Sequence, residues 1–175
     1  MSITFADDTQ RYRGIGSKYH FFGGYIMGTL YIIVGHGHTR KSATIRALTG
    51  FSSGYDYWLV ETIRDGTRRV FIISASPQEQ QKTLFTKHLK AINEADEESD
   101  VLMALHPDEE ACEFIEKVQK QNKREIRWVL LGMSEDEMRK DLRKILHEPD
   151  HVITDSKERP ANAIANQIRQ LWGWL

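Results

Sequence analysis

The sequence predicts an α/β protein of three layers: a mostly parallel central sheet with one antiparallel hairpin and helices on both faces. Three observations predict it. From Leu30 onward, short apolar runs rich in branched residues alternate with amphipathic stretches of helical length, the pattern left by parallel strands and crossover helices. Two of these runs are joined by Arg64-Asp65-Gly66-Thr67, and an Asp-Gly pair marks a tight antiparallel turn. The first run ends in a glycine-containing loop that leads directly into a helix, the context in which a phosphate-binding loop is expected.

Each element follows in order. The run LYIIV at 30–34 reads as a buried strand, and the helix after the glycine loop ends at Gly50, a residue favoured past a helix end because left-handed backbone costs it little. YWLVETI at 57–63 and RRVFIIS at 68–74 form the hairpin. Ser76-Pro77 opens a helical stretch reaching about Ala95, with Pro77 near the first helical position, where its missing N–H is no loss. The acidic segment EADEES reads as a solvated loop. Strand VLMAL at 101–105, a helix from Pro107 to Gln121, strand IRWVLLG at 126–132, a helix from Ser134 to Leu146, strand HVIT at 151–154 and a helix from Pro160 to Leu171 complete the pattern. Ser134 and Glu137 are spaced as a capping box that opens their helix.

Residues 1–26 stand apart, rich in Gly, Tyr and Phe and without a period. They read as an N-terminal extension or arm, with Met27 as an alternative start, and 27–175 as one domain of ordinary size. A charge of −1 gives no clear nucleic-acid signature. Cys112 is the single cysteine, so an intrachain disulfide or multi-cysteine zinc site is excluded, in accord with a cytoplasmic protein. The uncharged segment from Phe21 to Gly35 is interrupted by glycines and falls short of the roughly 20 residues of a membrane-spanning helix. No membrane association is expected.

The chemistry concentrates in GHGHTRKS, Gly35 to Ser42, which satisfies all but one position of the pattern glycine, four residues, glycine, lysine, serine or threonine. In such a loop the backbone of Gly35, His36, Gly37, His38, Thr39 and Arg40, with the helix start at Lys41, Ser42 and Ala43, surrounds phosphate oxygens. Lys41 neutralises the outer phosphates and the Ser42 hydroxyl holds magnesium. Arg40 stands where the pattern has its second glycine. It either supplies a further cation or points away. The bland alternative for the segment is a solvated turn. Two histidines, His36 and His38, are too few for a structural zinc site, and Cys112 has no neighbouring base to make it a nucleophile.

The longer segment GHGHTRKSATIRALTG resembles the first motif of translation-factor-type GTPases, GHVDHGKTTLIRALTG, sharing Gly35, His36, Lys41 and the run Ile45 to Gly50. The C-terminal HVITDSKERPANAIANQIRQL resembles the last strand and helix of P-loop kinases. These resemblances imply the three-layer fold of the P-loop NTPase superfamily, with a degenerate Walker A motif. They imply that Lys41, with Gln78 and Glu79 after the second hairpin strand, carries the catalytic work, that magnesium is the cofactor, and that Ser156 and Lys157 lie near the base. Ser74 and Pro77 replace the expected aspartate and glycine, and GMSE stands in place of a guanine-reading motif.

The expected function is binding of a nucleoside triphosphate, ATP or GTP, or another phosphorylated ligand, with slow hydrolysis. Two alternatives stay open. One is a non-catalytic P-loop module that binds a protein partner or self-associates through the arm or the terminal LWGWL. The other is a small nucleotide or metabolite kinase with Arg139 and Arg143 as lid residues. Trp58 and Trp128 are expected in the core or an interface, and Trp172 and Trp174 docked on the body of the chain.

Overall fold

A computed structural model describes residues 28–51, 54–74, 76, 83–121 and 124–175. The arm at 1–26, Pro77, Gln78 and Glu79 lie outside the described residues. At the centre is β1 (Leu30–Gly35), whose residues are all buried. Leu30, Ile32 and Val34 enter one apolar cluster and Tyr31 and Ile33 the other, as expected of a strand covered on both sides. There follow α1 (Lys41–Thr49), β2 (Tyr55–Thr62), β3 (Gly66–Ile73), α2 (Thr83–Glu94), β4 (Asp100–Leu105), α3 (Glu109–Gln121), β5 (Ile126–Leu131), α4 (Lys140–Leu146), β6 (His151–Ile153) and α5 (Ala161–Trp172). The strands lie in the order β2-β3-β4-β1-β5-β6. Among these six strands the β2–β3 pair alone is antiparallel, so the expected α/β class and mostly parallel sheet are present.

The order explains which helix covers which face. From β3 to β4, β4 to β5 and β5 to β6 the chain always advances in one direction across the sheet. Right-handed crossovers then place all three connecting helices on one side, and residues of α2, α3 and α4 do share one core cluster. From β1 to β2 the chain runs the other way. The helix that follows β1, α1, lies on the opposite face, with α5.

Three expectations are corrected in detail. Gly66 pairs with Thr62 and carries the positive φ of 67°, so the turn is the three-residue Ile63–Asp65 and Asp65 has no left-handed role. The capping box forms, with the Ser134 N–H donating to Glu137 Oε2 at 2.5 Å, but it caps a single 3-10 turn at Glu135–Glu137. Burial of Met138 with an extended backbone interrupts the helix, and α4 begins at Lys140. The third helix starts two residues later than Pro107 because the Asp108 carboxylate accepts the Ala111 N–H at 3.0 Å and so acts as the cap. Trp58 is 44% exposed on β2, whereas Trp128 is buried.

Candidate functional site

The Gly35–Ser42 loop lies at the carboxyl end of the sheet, where β1 departs toward one face and β4 and β5 toward the other. Such a divergence opens a crevice beyond the strand ends. Its floor is Thr39, fully buried, whose hydroxyl donates to the His36 carbonyl at 2.8 Å. The Lys41 ammonium turns back and donates to the same carbonyl at 2.8 Å. The loop is thus curled around its own lysine.

Two close approaches fix this shape. A Cβ on Gly35 would stand 2.5 Å from Thr39 Oγ1 and 2.7 Å from the Leu131 carbonyl oxygen. A Cβ on Gly132 would stand 2.7 Å from Thr39 Cγ2, on a residue whose φ is already 68°. Within the loop His38 and Arg40 take φ of 62° and 68°, a conformation costing a non-glycine residue roughly 1–2 kcal/mol. Side chains therefore occupy left-handed positions that glycine fills most readily. Alternation of right- and left-handed backbone is the geometry in which successive N–H groups converge.

Arg40 is also the cap residue of α1. A guanidinium has no acceptor, so it cannot satisfy the first helical amides. The first turn of α1 carries no acidic residue, and its opening N–H groups, at Lys41, Ser42 and Ala43, face the loop end of the helix. Ser42 and Ala43 are half-buried. Arg40 itself points to the segment after β6, its Nε and Nη2 donating to the Lys157 carbonyl at 3.3 and 3.2 Å. The buried Ser156 hydroxyl donates to the Thr39 carbonyl at 3.2 Å. Ser156 and Lys157 therefore do meet the loop, through its backbone and Arg40.

Other residues singled out in the sequence fall elsewhere. Ser74 lies just past β3, and β4 lies between β3 and β1; the Ser74 hydroxyl accepts the Gly54 N–H at 3.1 Å. The strand ends flanking the loop are those of β4 and β5, and they supply two residues that sequence reading missed. His106, just past β4, has its ring 5.2 Å from that of His36, edge to face. Gly132, just past β5, admits Thr39. A histidine or glycine directly after an apolar strand was the available signal. Arg139 and Arg143 pair locally, with Asp141 at 3.1 Å and Glu135 at 2.8 Å.

Charge at the rim is mixed. Exposed Glu137 is held below the usual carboxylate range, first by the Ser134 N–H, then by the Ser134 hydroxyl, with further lowering by His36 and Lys157. Among the described residues no three His, Cys, Asp or Glu side chains gather as a metal site. Ser42 offers one hydroxyl ligand, and a magnesium ion there would draw its remaining ligands from phosphate and water. At the opposite end of the sheet a cleft of 940 Å³ is lined by Tyr31, Arg68, Asp100 and Arg127 among others. Its Arg68 and Asp100 are already paired at 3.0 Å. None of the helices among the described residues is long and apolar enough to cross a membrane.

Comparison with protein-family models, curated proteins and solved structures finds no match to this chain.

Proposed function

We propose that the chain binds a nucleoside triphosphate, ATP or GTP, or another phosphorylated ligand on the Gly35–Ser42 loop. In this reading the domain is a three-layer P-loop-type unit with magnesium at Ser42 and slow hydrolysis as the accompanying reaction. The observation that carries it is the joining of an uncapped helix start to a loop with two left-handed residues, at the divergent carboxyl end of a parallel sheet. Converging N–H groups, the α1 dipole and the Lys41 ammonium all favour an anion there. Magnesium, when bound, would neutralise phosphate charge beside the Ser42 hydroxyl.

Calorimetric titration of ATP, GTP, their diphosphates and pyrophosphate, with and without magnesium, tests the reading. Saturable binding is expected, weakened about 10- to 100-fold in Lys41→Ala, the worth of a hydrogen bond to a charged group. Ser42→Ala is expected to remove the magnesium-dependent part alone. If every ligand fails to bind, or binds equally well to a folded Lys41→Ala protein, the reading is wrong.

A second reading, a non-catalytic P-loop module with a protein partner, is favoured by the exposed Trp58, Leu59 and Ile63 along β2 and its turn. Binding without turnover in the same titrations is its expected signature.

A further inference from the structure

The Gly35–Ser42 loop and the segment at 154–159 are joined by two contacts of different character. Ser156 Oγ to the Thr39 carbonyl is buried, and both groups are neutral. Arg40 to the Lys157 carbonyl is exposed, and here a cation is spent on a neutral acceptor. Charge-assisted bonds from a guanidinium to phosphate are roughly twice as strong as neutral ones and frequently bidentate. Arg40 immediately precedes Lys41 and caps the helix whose amides face the loop, so an anion seated there lies within the reach of its side chain.

We propose that Arg40 and the Lys157 carbonyl form a latch that a polyphosphate ligand opens, freeing the 154–159 segment while Ser156 keeps the loop in shape. The inference rests on the phosphate-binding reading and adds to it a regulated contact. It also accounts for the residue that departs from the glycine pattern. In the ligand-free protein Arg40 tethers the neighbouring segment, and in the bound protein it turns to the phosphates. The freed segment has its own internal reporters. The Glu158 and Arg159 N–H groups donate to the Asp155 carbonyl at 3.1 and 3.3 Å, and Arg159 pairs with Asp155 at 3.5 Å. With the tether gone these turn bonds open more often, and their amides exchange faster.

Hydrogen exchange of the Glu158 and Arg159 amides in the full chain tests this, with and without saturating pyrophosphate or ATP. The variant is Arg40→Gly, which removes the guanidinium and eases the left-handed backbone, so the fold is kept. Wild type is expected to exchange severalfold faster when ligand is bound. Ligand-free Arg40→Gly is expected to match ligand-bound wild type and to show no further change on binding. Saturable calorimetric binding with unchanged or slower exchange in wild type overturns the latch alone, as does ligand-free Arg40→Gly exchanging like ligand-free wild type. Failure of calorimetry to detect any Lys41-dependent binding overturns the phosphate-binding reading and the latch with it.

Discussion

Gly35 and Gly132 press on the same side chain, Thr39, from two strands, yet only one of them belongs to a recognisable pattern. Gly35 opens the loop motif and was legible. Gly132 owes its importance to a contact across the fold, which no local spacing encodes. Its φ of 68° and a Cβ position 2.7 Å from Thr39 Cγ2 combine backbone strain with overpacking. Gly132→Ala is therefore expected to destabilise the protein by about 3 kcal/mol, read from urea unfolding. Gly37 is the control, because a Cβ there meets nothing within 4 Å and its φ is not positive. Gly37→Ala is expected to stay within about 0.5 kcal/mol of wild type. Equal losses for the two would refute the packing account of the loop floor.

Among the elements, α1 shows how far local sequence carries. Its end at Gly50 was legible, and Gly50 takes φ of 74° with its N–H on the Arg46 carbonyl. What sequence could not show is the partner of the last carbonyls. Arg169, on α5, donates to Ala47 O at 2.6 Å and Leu48 O at 3.0 Å, placing a cation at the negative end of the helix dipole. The carbonyl acceptors and the guanidinium meet only once α1 and α5 pack on the same face. Arg169→Met keeps much of the apolar stem and removes both bonds. It is expected to cost about 1–3 kcal/mol in thermal or urea unfolding, and a loss near zero would show that water serves these carbonyls equally well. The start of the same helix is the opposite case. Its N–H groups have no cap from Arg40, and it is this asymmetry that makes α1 an anion site in the proposed reading.

For the molecule as a whole, the class was legible because strand and helix periods alternate, but the order of strands was not. Local patterns name β1 and β3; they do not say that β4 slips between them. Hence the strand ends that flank the loop, carrying His106 and Gly132, could not be named from local pattern. The tryptophans make the same point about burial. Both Trp58 and Trp174 are aromatic residues near apolar neighbours, and composition alone does not separate them. Topology does, because the chain end returns across the sheet and pairs with the last residues of β2 and its turn. Ile63 N–H donates to the Gly173 carbonyl and Leu175 N–H to the Glu61 carbonyl, each at 2.8 Å. Trp174, 3% exposed, lies with its ring 5.0 Å from that of Tyr31. Loss of a buried tryptophan side chain leaves a cavity, so Trp174→Ala is expected to cost about 3–5 kcal/mol. Trp58, half in solvent and touching Phe51 at 6.3 Å between ring centres, is expected to cost about 1 kcal/mol or less when replaced by alanine. Circular dichroism during urea unfolding reads both without relying on tryptophan fluorescence. If Trp174→Ala proves as cheap as Trp58→Ala, the chain end does not dock on the sheet as described.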